Sequence, residues 1–189
     1  MELFIVLGVV AVVLLLPLIY VLVIYNRLVS LRQHVAESWS DIDVELKRRY
    51  ELIPNLVATV KGYAAHERET LEKVIALRNA AEANHGSATS QAKDETALML
   101  GVKQLFALVE SYPQIKADAH FLELQRELAL TEDRIAAARR FFNANTREMR
   151  QLCQTIPSSL VASMFSFKPG EYFELGSEAE RVTPRVEIG

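Results

Sequence analysis

Apolar residues fill the first part of the chain without a break and then thin into stripes. LFIVLGVVAVVLLLPLIYVLVIY occupies residues 3–25 with no charged side chain. A bilayer core calls for about 20 apolar helical residues, so this segment is long enough to span one with some tilt. Pro17 is tolerated inside such a helix. Tyr20 and Tyr25 stand toward its downstream end, where an amphipathic ring suits an interface. A cleaved leader is the rival reading. It calls for a basic start, a shorter apolar core and a small-residue cleavage site. Here Glu2 is the only charge ahead of the core, and VLVIYN offers no such site. The pattern therefore predicts a retained transmembrane anchor over 1–26.

Beyond the anchor the apolar positions are Leu31, Val35, Trp39, Ile42, Leu46, Tyr50, Ile53, Val57, Val60 and Ala64. Steps of three and four mark one face of a helix rather than a strand. The stripe weakens through Leu71 and Val74, and ANHGSATS ends it near Gly86. Pro54 withholds the amide that would bond the Tyr50 carbonyl, which predicts a kink or short break at 52–54. A second helix is expected over 90–111, with Leu98, Val102, Leu105, Phe106 and Val109 on one side. A third is expected over 114–155, carrying Phe121, Leu124, Leu128, Ile135, Phe142, Met149 and Leu152. At 1.5 Å per residue it would be about 60 Å long. LVASMF suits a short last helix after Pro157. The expected fold is all-α: an N-terminal transmembrane helix followed by an antiparallel bundle of long helices. The bundle is expected over 27–173 and a flexible tail over 174–189.

Composition narrows the chemistry. The seven glycines and six prolines are few for 189 residues, which favours long helices. A net charge of −3 and the lack of a basic stripe argue against a nucleic-acid partner. The single cysteine, Cys153, cannot form an intramolecular disulfide and reads as a structural thiol. The densest polar block is WSDIDVELKRRYELIPNLVATVKGYAAHE. Its pairs Asp43 with Lys47 and Glu45 with Arg49 have helical spacing with the acid first, each worth about 0.2–0.5 kcal/mol. Asp41 and Asp43 point about 200° apart on a helix and cannot share an ion. HERET lacks the second histidine a zinc helix needs. His34, His85 and His120 have no ligand spacing, so no metal or other cofactor is expected. The block reads as a solvated helix face or a protein-contact surface. Phe165, Phe167, Tyr172 and Phe173 are too much aromatic surface to leave in water. They either fold back on the bundle or dock on a partner or the membrane.

Three ordered blocks carry a family resemblance. YNRLVSLRQHVAESWSDIDVELKRRYELIPNLVATVKGYAAHE follows the anchor. FLELQRELALTEDRIAAARRFFNANTREMR lies in the third helix, and IPSSLVASMFSFKPGEYFE closes the domain. The chain resembles the LemA family of bacterial membrane proteins over nearly its whole length. It departs at Phe142, where relatives often have a tyrosine. The resemblance implies a single-pass protein with a helical soluble domain and supplies no catalytic residue or cofactor. It also implies candidate partners, membrane metallopeptidases and TPM-domain proteins, and some relatives are associated with magnetosome membranes.

Two function classes follow. The favoured one is a membrane-anchored helical scaffold or adaptor, not an enzyme, which self-associates or organises partner proteins at the bacterial inner membrane. Its candidate interaction surface is Asp41, Asp43, Lys47, Arg48, Arg49, His66, Phe167, Tyr172 and Phe173. The alternative is an enzyme or enzyme subunit with a site near Asp41, Asp43, Arg48, Arg49 and His66. Arg27 and Arg32 follow the apolar segment and no base precedes it. The positive-inside rule then predicts a cytoplasmic helical domain with the N-terminus outside.

Overall fold

Before Gly62 the chain has few helix breakers, and one long helix results. In a computed structural model that describes residues 1–176, α1 is Glu2–Tyr63, 62 residues in length. It is followed by α2 (Arg68–Ala83), α3 (Ala88–Val109), α4 (Pro113–Lys116), α5 (Ala119–Gln154) and α6 (Ser158–Met164). The described residues contain no strand, and the fold is all-α. They divide into two units. The first is Met1–Glu37 with Asn143–Gly170; the second is Ser38–Phe142 with residues 171–176. Both α1 and α5 therefore contribute to each.

In the second unit the downstream part of α1 turns back at residues 64–67. The Arg78 Nε donates to the Tyr50 carbonyl at 2.9 Å, which fixes α2 antiparallel to α1. A polar turn reverses the chain again. The Asn84 side chain donates to Asp94 at 2.6 Å and accepts from the Gly86 amide at 2.8 Å. Ser87 caps α3 by accepting from the Ser90 amide. Gly101 lets α3 approach α2 closely: a Cβ there would lie 2.7 Å from Leu77 Cδ1. Asp118 starts α5, its carboxylate accepting from the Phe121 amide at 2.8 Å and from the Tyr63 hydroxyl at 2.7 Å. Those bonds, the amide's first, hold the Asp118 carboxyl below its ordinary range.

The expected third-helix stripe is buried along its full length, from Phe121 to Leu152. Two boundaries differ clearly from the sequence expectation. The first helix stops at Tyr63, so Leu71 and Val74 belong to α2. The third begins at Ala119 because Asp118 caps it there; Pro113 opens only the single turn of α4. Helix α1 passes through Pro54 without a break at 52–54. The carbonyl that Pro54 leaves without its amide is that of Tyr50, and the Arg78 guanidinium takes the vacant place.

In the first unit, Ile24, Leu28 and Leu31 of α1 share one buried cluster with Met149 and Leu152 of α5 and Val161 and Ala162 of α6. Val21, Tyr25, Cys153 and Phe167 pack on its margin. Upstream of Val21, α1 carries bare apolar side chains from Leu3 onward. It is the one described helix long and apolar enough to cross a membrane.

Candidate functional site

A buried polar cluster lies inside the second unit. The stripe of α3 runs Gln91, Glu95, Leu98, which places an amide and a carboxylate where apolar residues would otherwise stand. Arg49 of α1 meets them from the neighbouring helix. Its guanidinium donates to Glu95, and both side chains are only 1% exposed. It also forks onto Glu132 of α5 at 2.9 and 3.1 Å. The Tyr50 hydroxyl donates to the other Glu95 oxygen. Gln91 Nε2 lies 2.8 Å from that oxygen, 3.1 Å from the Tyr50 hydroxyl and 3.0 Å from the Ala81 carbonyl. Burial pushes the Tyr50 phenol up to about 12, against the opposing pull of the Arg49 charge.

These bonds tie α1, α2, α3 and α5 at one level of the bundle. A buried carboxylate held by a guanidinium, a phenol and an amide is strongly paired. It is also closed: Glu132, at 17% exposure, is the member nearest water. Such clusters contribute little net stability relative to an apolar core, and removing one partner is costly. The arrangement fixes helix alignment, with Glu132 its one partly exposed member.

The sequence expectation puts Arg49 on a solvated face, paired with Glu45. It is instead buried, because the face of α1 beside Tyr50 is covered by α3 and α5. Glu45 lies 3.9 Å from Arg134. The other expected pair forms, Lys47 donating to Asp43 at 2.6 Å. Arg48 reaches Glu127 of α5 at 2.9 Å on the surface. Asp41 and His66 are exposed on separate parts of the unit, and Asp41, Asp43, Arg48, Arg49 and His66 do not converge. The described residues hold no group of three His, Cys, Asp or Glu side chains placed for a metal ion.

The late aromatics separate. Phe173 is fully buried rather than on a surface, edge-on to Trp39 at 5.6 Å, while Phe142 meets the same indole at 5.2 Å. Tyr172 is half-buried beside it. The Gly176 amide donates to Thr96 at 3.0 Å, so the first residues of the expected tail lie along α3. The rest of that tail, 177–189, falls outside the described residues. In the first unit Phe167 lies edge-on to Tyr25 at 5.9 Å and under the Arg32 guanidinium at 5.4 Å. Phe165 packs on Tyr25 with ring centroids 4.7 Å apart and the planes tilted by 58°.

A model of the LemA family matches residues 38–188. The chain is 24% identical over 189 residues to the magnetosome protein MamQ of Magnetospirillum gryphiswaldense, with 86% of this chain and 70% of that one covered. It is 26% identical over 157 residues to the protein LemA of Metamycoplasma hominis, covering 83% and 71%. It is 25% identical over 175 residues to the magnetosome protein MamQ 2 of Paramagnetospirillum magneticum, covering 79% of this chain and 64% of that one.

Proposed function

The chain belongs to the LemA family, and on that premise we propose that it is a membrane-anchored helical scaffold that self-associates and organises partner proteins, without catalysis of its own. The observation that carries this reading is the distribution of side chains. The apolar residues of α1 upstream of Val21 stand bare. The buried charges of the second unit are bound to one another and sealed. A bare apolar segment asks for a bilayer. A sealed ion-pair cluster holds helices in place and offers nothing to a reactant. The likeness to proteins named as magnetosome proteins fits a role at a membrane.

On this reading α1 crosses the bacterial inner membrane, and Arg27 and Arg32 keep the helical domain on the cytoplasmic side. The exposed part of the proposed interaction surface is Asp41, Lys47, Arg48 and His66, with Asp43, Phe167 and Tyr172 partly exposed. Membrane metallopeptidases and TPM-domain proteins are the proposed partners. The test is a native-membrane pull-down combined with carbonate washing. The chain is expected to stay in the washed membrane and to bring down a second, differently tagged copy and partners in fixed ratio. Release by carbonate, or capture of neither, would overturn the proposal. Cleavage of the helical domain by protease added outside spheroplasts would overturn the orientation alone.

A further inference from the structure

Helix α6 has apolar residues on two sides, and one side is bare. Ser158, Val161 and Ala162 face inward and are buried. Ile156, Leu160 and Met164 follow one another at four-residue steps and are 81%, 65% and 70% exposed, with Phe165 beside them at 45%. Leu160 and Met164 stand one turn apart on this short helix and Ile156 lies in the turn that leads into it, and large aliphatic side chains such as these are costly to leave in water.

The place of α6 in its unit says what covers them. Val161 and Ala162 share a cluster with Ile24 and Leu28, and the Phe165 ring packs at a tilt on Tyr25. Ile24 and Tyr25 are the last residues of the apolar run of α1, where Leu22 and Val23 are still bare. No charged residue stands between Gln154 and Lys168. At the boundary itself the cations are Arg27, held by Glu148 at 2.6 Å, Arg32 over the Phe167 ring, and Lys168. An apolar helix face at the foot of a membrane span, next to aromatic rings and bases, has the makeup of an interfacial segment. We infer that α6 lies in the membrane interface, with Ile156, Leu160, Met164 and Phe165 inserted among the lipid acyl chains just below the headgroups. This rests on the reading of α1 as an anchor.

The test uses the full-length chain with Cys153→Ala, reconstituted in phosphatidylcholine–phosphatidylglycerol vesicles. An environment-sensitive dye is attached at Leu160→Cys, and at Met164→Cys as an independent reporter. Val12→Cys marks the bilayer interior, and Lys103→Cys, on exposed α3 surface, marks water. Lipids brominated near the headgroup or near the chain end serve as quenchers. The α6 dyes should show blue-shifted emission and lose most of it to the shallow quencher, and less to the deep one. Val12→Cys should show the reverse order. If Val12→Cys is quenched while both α6 dyes behave like Lys103→Cys, the inference fails and the anchor stands. If no position is quenched, both fail. Blue-shifted α6 emission that neither lipid quenches would mean a protein covers this face, and would also overturn the inference.

Discussion

Replacing Arg78 with Met should destabilise the second unit, and should do so far less when Pro54 is already replaced by alanine. Pro54 has no amide to give the Tyr50 carbonyl, and Arg78 Nε supplies the bond at 2.9 Å. Tyr50 is buried, so Arg78→Met leaves its carbonyl unpaired, at a cost of about 1–3 kcal/mol. The guanidinium also lies 5.9 Å from the Tyr50 ring, a contact worth roughly 0.5–1 kcal/mol. Its pair with the half-exposed Glu82 adds about 0.3–0.5 kcal/mol. The single substitution should therefore cost about 2–4 kcal/mol. In the Pro54→Ala background the new backbone amide takes the carbonyl, and the ring, Glu82 and exposed Asn79 contacts remain to be lost. The coupling between the two positions is then about 1–3 kcal/mol, the carbonyl's share. Urea unfolding of the full chain in mild detergent, followed by the single tryptophan, Trp39, reads this unit directly. With a slope of about 2 kcal/mol per molar, the coupling is a difference of roughly 0.5–1.5 M in midpoint shift. Equal shifts for Arg78→Met in both backgrounds would refute the reasoning.

Three further outcomes follow from the buried cluster and its surroundings. Glu95→Leu should cost about 3–5 kcal/mol by taking one carboxylate from Arg49 and the acceptor from the Tyr50 hydroxyl, and Arg49→Met with Glu95→Leu should recover only part of that loss, because Glu132 then lacks its cation, as urea midpoints would show. Phe173→Ala should cost about 3–5 kcal/mol and shift Trp39 emission to the red, because the ring it removes is fully buried against the indole. The Tyr50 phenol ionises near 10 when unfolded and at about 12 when folded. Its contribution is thus fully present below pH 10 and is lost as pH rises toward about 12; urea midpoints across that range should fall more steeply for the wild type than for Tyr50→Phe.

The helical fold was legible because burial repeats along the chain. From Phe121 to Leu152 each expected core residue of α5 lies inside, at spacings set by the helix period. The turn after Tyr63 was not legible. Ala64 and Ala65 are good helix formers, and only Gly62 hints at a stop. The burial of Arg49 was hidden because Lys47, Arg48 and Arg49 look alike in sequence, and its partners Glu95 and Glu132 come from distant helices. A signal for the cluster did exist: Gln91 and Glu95 continue the stripe of Leu98, Leu105 and Val109, and a carboxylate in an apolar stripe requires a buried base. Phe173 had no such signal. It sits in a segment without periodicity, and its burial depends on the space beside Trp39.

The most direct test of the anchored scaffold is the mass of the particle it forms in its own membrane. The full chain would be extracted from native membranes with a nanodisc-forming polymer, without detergent, and weighed by native mass spectrometry. One chain weighs 21.3 kDa. The account predicts membrane particles in which several copies, or copies with partner proteins, leave the nanodisc together at discrete masses above that value. Chains recovered only as 21.3 kDa monomers, or absent from the membrane extract, would contradict it.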